Sequence, residues 1–350
     1  MVLTVLNVAY PFAPVGPNSV GGAEQVVHQL DKALVDSGHR SILIACEGSE
    51  PAGIHISVPR ASGDLHQAEV EAAQHRHRHA VALALARWPV DVVHLHGIDF
   101  HAYLPRDGPP VLVTLHLPID WYPAEALSPH RPNVWFNCVS RSQHAASAPD
   151  PHMLAPIENG VADYFFGASA AKRNFALMLA RICPEKGVHL AIDAAKRAAM
   201  PLIICGEVFP YATHRQYFET TVKPALDQLR RFIGPVGLAR KRRLLAMARC
   251  VLIPSLAPET SSLVAREALA CGTPVIASAR GALAETIEHG RTGFLVRDEV
   301  EMAKAMMDAS ALDGEVCRCS ARQRYSLGRT NKSYLSVYET LSRMAISGAA

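Results

Sequence analysis

Two carboxylates eight positions apart, Glu259 and Glu267, stand in the part of this 350-residue chain richest in chemistry, PSLAPETSSLVAREALACGTPVIA from Pro254 to Ala277. On one continuous helix they would lie about 12 Å apart at 1.5 Å per residue, too far to work as a close pair. The pattern instead places Glu259 in a loop after a buried strand and starts a helix near Ser261 or Ser262. Small hydroxyl residues there are good N-cap groups. The N–H groups of Ser262, Leu263 and Val264 then point into the loop, and a helix end of that kind attracts phosphate. Glu259 reaches one side of such a phosphate and Glu267 the other. A diphosphate flanked by two sugars has that layout, with the transferred sugar by Glu259 and a ribose by Glu267. The same residues also fit an amphipathic helix with a carboxylate on its wet face.

A second group of candidates supplies positive charge. Arg181 and Lys186 stand on a turn after the apolar run Phe175–Leu179. Arg offers a planar fork and Lys a movable point charge, so together they can clamp the two phosphates of a diphosphate. Gly206 ends the next strand-like run, Leu202–Cys205, and Gly234 follows Phe232-Ile233.

The first half offers His116, at the carboxyl end of the apolar run Val111–Leu115, where open α/β sheets place their ligands. Gly21 and Gly22 close a long Pro- and Gly-rich loop and permit close backbone approach at a helix start. No Gly-x-Gly-x-x-Gly follows the first strand, which argues against nicotinamide binding. Trp121 and Tyr122 offer aromatic faces to an acceptor sugar, or simply pack a Pro-rich loop. His94 and His96 share one side of a strand and suit a structural or cleft-lining role. The run Gln74–His79 carries three histidines on a helical pattern and reads as a solvated face.

The ordered run from Glu259 to Ala277 resembles the Glu-x7-Glu segment of the retaining glycosyltransferases of family 4, which have the GT-B fold. Ala180–Gly187, ARICPEKG, resembles that family's Gly-Arg-x-x-x-x-Lys-Gly motif, with Ala180 in place of glycine. Ser261-Ser262 stands where the family often has Phe-Gly, and Leu117 where many relatives have Asp. The resemblance runs from the Gly21-Gly22 loop to residue 296. It implies an α/β fold of two Rossmann-like domains facing a central cleft, with a last helix crossing back to the first domain. It also implies a metal-independent, retaining transfer of a sugar from a nucleoside-diphosphate sugar to an acceptor hydroxyl.

In that reading Glu259, His116, Arg181 and Lys186 are catalytic. Gly21, Gly22, Gly206, Gly234, Ser261, Ser262, Leu263, Val264 and Glu267 bind the nucleotide sugar. No cofactor or metal is expected beyond the donor itself. The acceptor is a sugar, a lipid-linked group or a small molecule, and nucleic acid is not expected. A phosphorylase or epimerase on the same fold fits the same residues, as does a non-catalytic nucleotide-sugar or polyanion binder.

The elements that must position these groups alternate. Strands are expected at 2–9, 41–46, 91–95, 110–115 and 134–139, with helices at 22–37 and 66–87, the pattern of a doubly wound sheet. Domains are expected at 1–165 and 166–330, joined by a weakly patterned linker at 163–173. A final helix at about 331–350 carries Tyr334, Tyr338 and Leu341 at helical spacing. Residues 1–165 hold nine Lys/Arg against sixteen Asp/Glu, whereas 166–350 hold 26 against 16. A basic second half suits an anionic ligand. Its sharpest cluster, Arg240–Arg243, reads as a solvated helix face. Eight scattered cysteines in apolar segments suit a reducing cytosol. No run of about 18 apolar residues indicates a membrane span, although peripheral membrane contact is left open.

Overall fold

The computed structural model describes residues 2–60, 66–168 and 170–348, and divides them into two compact units. The first comprises residues up to Glu158 together with Gly328 onward; the second runs from Asn159 to Leu327. The division thus falls before the expected linker, in which Ser169 lies outside the described residues.

The first unit carries a seven-stranded parallel sheet in the order β3-β2-β1-β4-β5-β6-β7. Its strands are β1 (Thr4–Val8), β2 (Arg40–Cys46), β3 (Ile54–Val58), β4 (Val92–Leu95), β5 (Val111–Leu115), β6 (Val134–Cys138) and β7 (Met153–Leu154). The central strands β1, β4 and β5 are buried along their whole length, as their continuous apolar sequences require of a parallel sheet covered on both faces. Helices α1 (Gly22–Asp36), α2 (Gln67–Arg87) and α3 (Arg141–Ala145) lie between strands. In α1 the buried residues Val26, Val27, Leu30 and Leu34 form one apolar stripe. It ends where Gly38 turns into the left-handed region at φ 77° and returns its N–H to Val35 O.

The second unit holds a six-stranded parallel sheet, β10-β9-β8-β11-β12-β13. These are β8 (Ala176–Leu179), β9 (Leu202–Cys205), β10 (Arg230–Phe232), β11 (Cys250–Ile253), β12 (Val275–Ser278) and β13 (Gly293–Val296). Its helices are α4 (Asp163–Phe166), α5 (Val188–Arg197), α6 (Ala212–Tyr217), α7 (Leu238–Met247), α8 (Leu263–Ala270), α9 (Leu283–Thr286), α10 (Glu299–Asp308) and α11 (Gly314–Arg324). The last helix, α12 (Leu327–Gly348), buries Tyr334, Tyr338 and Leu341 within the first unit.

In each sheet the chain reverses its direction of winding once. The reversal lies between β1 and β4 in the first unit and between β8 and β11 in the second. Just beyond the carboxyl ends of such a pair lies the usual ligand site of a doubly wound sheet. Strands β3, β7, β10 and β13 were not expected from the sequence. β7 is only two residues long, and β3 is a half-exposed edge strand, so neither has the apolar run that marks a central strand. No helix among the described residues is long and apolar enough to cross a membrane.

Candidate active site

The residues after β8 and β11, the switch-point pair of the second sheet, converge on one another. The loop from Ala180 to Gly187 leaves β8 and carries Arg181 and Lys186; the loop from Pro254 to Ser262 leaves β11 and carries Glu259. Lys186 Nζ donates to Glu259 Oε1 at 2.6 Å, and Ser255 Oγ donates to the same oxygen. The backbone joins the two loops as well, Leu256 N donating to Glu185 O at 2.8 Å. Gly187 turns at φ 63°, and a Cβ there would collide with Pro254 O. Arg181 lies over the Phe209 ring, 5.8 Å from its centroid.

Two opposing effects set the ionisation of Glu259. Burial raises its pKa. The Lys186 charge and hydrogen bond, Ser255 and Arg181 together outweigh burial and hold the carboxyl below its ordinary value. It is therefore a carboxylate at neutral pH and can accept from sugar hydroxyls. Its backbone is fixed by a residue the sequence did not point to. Gly281 pairs with Glu259 in an isolated parallel bridge, at φ 59°, where any Cβ would run into the Glu259 backbone. Ala282 N donates to Glu259 O at 2.7 Å.

Helix α8 starts at Leu263, as the spacing implied, but its start is not a side-chain cap. Ser262 sits at φ 53°, ψ 73°, in the left-handed region, and its hydroxyl caps nothing. The expectation of serine N-capping is thereby corrected: the backbone turn, not the hydroxyl, opens the helix. The glycine that the family often has at this position would adopt that turn without strain. The first helical bonds run from Ala265 and Arg266 to Ser262 O, so the amides of Leu263 and Val264 fall outside the helix's own ladder. Ser261 Oγ is buried with no partner.

Glu267 is 3% exposed. Its Oε1 accepts from Lys241 Nζ at 2.7 Å, while Oε2 is buried with no partner. Burial raises its pKa, and Lys241 offsets that only in part. Lys241 belongs to the Arg240–Arg243 run, so the reading of that run as wholly solvated is corrected at this residue. Lys241 turns inward onto α8 and also lies 5.2 Å from the Phe165 ring centroid. Arg266, beside Glu267, is fully buried, donates to Asn159 O and stacks 4.2 Å from the Tyr325 ring centroid. Sequence reasoning missed it because a mid-helix arginine normally faces water.

Gly206 and Gly234 lie at the ends of β9 and β10, where Gly206 N donates to Gly234 O at 3.1 Å. Gly206 has φ 151°, and a Cβ on it would strike Ala180 O. The glycine is needed for the approach of its own backbone to the start of the Arg181 loop.

In the first unit His116 follows β5 and belongs to a buried polar chain. His116 Nε2 lies 3.1 Å from His96 Nδ1, and the two rings stack. His94 Nδ1 lies 2.7 Å from Tyr338 Oη, and its Nε2 2.7 Å from Thr114 Oγ1. Thr114 donates its hydroxyl to Asn137 Oδ1 at 2.7 Å, so it accepts from His94 Nε2–H. His94 Nδ1 is then bare and accepts from Tyr338. His96 Nε2 is buried without a partner. An unmet buried lone pair costs less than an unmet N–H, so His96 carries its proton on Nδ1 and donates it to His116. Burial alone lowers His116 to about 4, and burial also drives His94 and His96 well below the ordinary histidine range. At neutral pH His116 is a neutral ring whose Nδ1 bears the proton.

Gly21 and Gly22 open α1 as expected, with Gly21 as its N-cap. The Glu24 carboxylate folds back so closely that a Cβ on Gly21 would collide with it. Of the two candidate aromatics, Tyr122 is 5% exposed and accepts from Leu117 N, whereas Trp121 is 37% exposed. The paired aromatic platform is therefore corrected to Trp121 alone. His77, placed on a solvated face by sequence, is buried against Tyr103, and burial takes it to about 4.

Comparison with known proteins bears on the family and the fold. Residues 163–324 match the family model for glycosyl transferases group 1, and residues 20–148 that for glycosyltransferase family 4. The phosphatidyl-myo-inositol mannosyltransferase of Mycolicibacterium smegmatis is 26% identical over 380 residues, covering 94% of both chains. The lipopolysaccharide 1,2-N-acetylglucosaminetransferase of Salmonella typhimurium is 26% identical over 168 residues, 45% of this chain but only 42% of its own length. Among solved structures, AviGT4, a glycosyltransferase involved in avilamycin A biosynthesis, superposes with a TM-score of 0.70 at 24% identity, covering 97% of this chain and 98% of its own. HepE of Anabaena in complex with UDP-glucose gives 0.72 at 17% identity over 97% and 100%. Both share the two-sheet fold. The chain belongs to the GT-B glycosyltransferases of the family 4 type.

Proposed function

We propose that this glycosyltransferase moves a sugar from a nucleoside-diphosphate sugar to an acceptor hydroxyl with retention at the anomeric carbon, without a metal ion on the diphosphate. The reading rests on one observation. Arg181 and Lys186 act on Glu259 in the loops that leave β8 and β11, and the start of α8 follows directly on the second loop. As the bond between the sugar C1 and the diphosphate oxygen breaks, negative charge grows on that oxygen. Arg181, Lys186 and the amides of Leu263 and Val264 stabilise it, a form of electrostatic assistance that often dominates catalysis. Glu259 holds sugar hydroxyls and Glu267 offers its unpartnered Oε2 to the ribose.

In the route we favour, the acceptor oxygen bonds C1 on the face the diphosphate leaves, and its proton passes to the departing phosphate oxygen. His116 acts as a neutral hydrogen-bond donor, and Trp121 serves the acceptor. The neighbour solved with UDP-glucose supports a uridine donor as the first to try. Incubation with a panel of nucleotide sugars and acceptors, with and without chelator, followed by NMR of the product anomer, tests the reading. A product of inverted configuration, or turnover abolished by chelator and restored by Mg²⁺, would overturn it.

A further inference from the structure

Cys183, Glu185 and His214 bring a sulfur, a carboxylate oxygen and an imidazole nitrogen within 4.8 Å of one another. Cys183 and Glu185 belong to the phosphate loop itself, and His214 comes from α6. Cys183 is 1% exposed and His214 8%. His214 Nδ1 is buried with no hydrogen-bond partner, a rare state for a polar atom inside a folded protein.

We propose that these three side chains bind a zinc-class divalent cation that fastens the Arg181–Lys186 loop to α6. The donor set selects the ion. Thiolate and imidazole suit Zn²⁺, whereas Mg²⁺ and Ca²⁺ take oxygen ligands. Bond lengths of about 2.0–2.3 Å in a tetrahedral site place ligand atoms roughly 3.3–3.7 Å apart. The present separations, all within 4.8 Å, exceed that range by about 1 Å at most. Three protein ligands leave a fourth position for water.

Charge and protons balance. Burial pushes the Cys183 thiol up to about 11, so it carries a proton at neutral pH. The entering ion displaces that proton to solvent and bonds the sulfur. Thiolate and the Glu185 carboxylate then cancel the two positive charges, so the site passes from one net negative charge to none as the ion enters and the proton leaves. The ion also has a mechanical route to the clamp. The Phe209 ring lies under Arg181 and is stacked 6.5 Å from His214, so fixing His214 fixes the platform on which the guanidinium rests. The ion is a clip for the loop and takes no part on the leaving group.

The test is a Co²⁺ titration of the chelator-treated full chain, followed by absorbance. Expected are tetrahedral ligand-field bands with a thiolate-to-cobalt charge-transfer band, displaced by Zn²⁺ and untouched by excess Mg²⁺. Cys183→Ser removes the charge-transfer band, His214→Gln weakens binding by about tenfold or more, and Cys319→Ser, which changes the exposed thiol, leaves both intact. No thiolate band in the wild-type protein would overturn the proposal. So would a band that survives Cys183→Ser, or unaltered affinity in His214→Gln. None of these readings uses a nucleotide sugar, so the outcome is separable from that of the proposed transfer.

Discussion

Lys186 and Glu259 lie 73 positions apart in sequence and 2.6 Å apart in space. In the proposed reading, the cation assigned to a phosphate and the acid assigned to a sugar are paired with each other before a donor binds. Glu259 also keeps Ser255 as a partner, so Lys186 can turn to a phosphate without stranding the carboxylate. Lys186→Ala should weaken donor binding by about ten- to a hundredfold, the worth of one charged hydrogen bond. It should also raise the Glu259 pKa. Glu259→Gln should spare binding and lower turnover. Calorimetric donor binding beside steady-state kinetics checks the division.

Lys241 and Glu267 form a more deeply buried pair, and removing one partner leaves an uncompensated charge. Lys241→Ala should destabilise the protein by about 3 kcal/mol, while Lys241→Met with Glu267→Gln should recover most of that loss. Neither variant should keep full donor affinity, because Glu267 Oε2 loses its fixed position. Urea denaturation of Lys241→Met, Glu267→Gln and the double variant measures the coupling.

Much of this site was legible before any coordinates. The strands that precede Arg181, Lys186 and Glu259 follow from apolar runs and punctuation, and the charged residues after them stand out by type and by the family resemblance. What the sequence hid was pairing across the fold. Lys241 sits among three arginines and reads as solvent-facing, because only the approach of α7 to α8 brings its ammonium to Glu267. Gly281 carries no mark in the sequence, because its reason is the backbone of Glu259. Ser262 reads as a cap, since hydroxyl chemistry is visible in sequence and a positive φ is not. The histidine chain joins β4, β5, β6 and α12, four segments whose adjacency only the folded sheet reveals.

Ser262 supplies a direct backbone test. A non-glycine residue in the left-handed region costs about 1 kcal/mol or more. Ser262→Gly should therefore raise stability by up to about 1 kcal/mol, after allowing for glycine's greater freedom when unfolded. Donor affinity should be retained, since the amides of Leu263 and Val264 stay in place. Gly281→Ala should do the reverse, lowering stability and displacing Glu259. Thermal melts of the two variants separate these outcomes.

The neutral histidines set an acid limit on stability. His77 and His116 are lowered to about 4 from an unfolded value near 6.5, and burial also holds His94 and His96 well below the ordinary histidine range. Below pH 6.5 the unfolded chain takes up protons that the folded chain refuses. Stability is therefore complete above that pH and falls as pH drops from 6.5 toward 4. The slope is up to about 1.4 kcal/mol per pH unit for each such group. Urea midpoints at pH 7.5, 6.5 and 5.5 should show the decline mostly in the lower interval, and His77→Phe should make it shallower.

The central claim is that a nucleoside diphosphate is held at the ends of β8 and β11. Its most direct measurement is the shift in melting temperature caused by a panel of nucleotide sugars, for the wild-type protein and for Arg181→Ala combined with Lys186→Ala. The account predicts that at least one donor stabilises the wild-type protein and that the double variant, still folded, loses that shift. An equal shift in both proteins would contradict it.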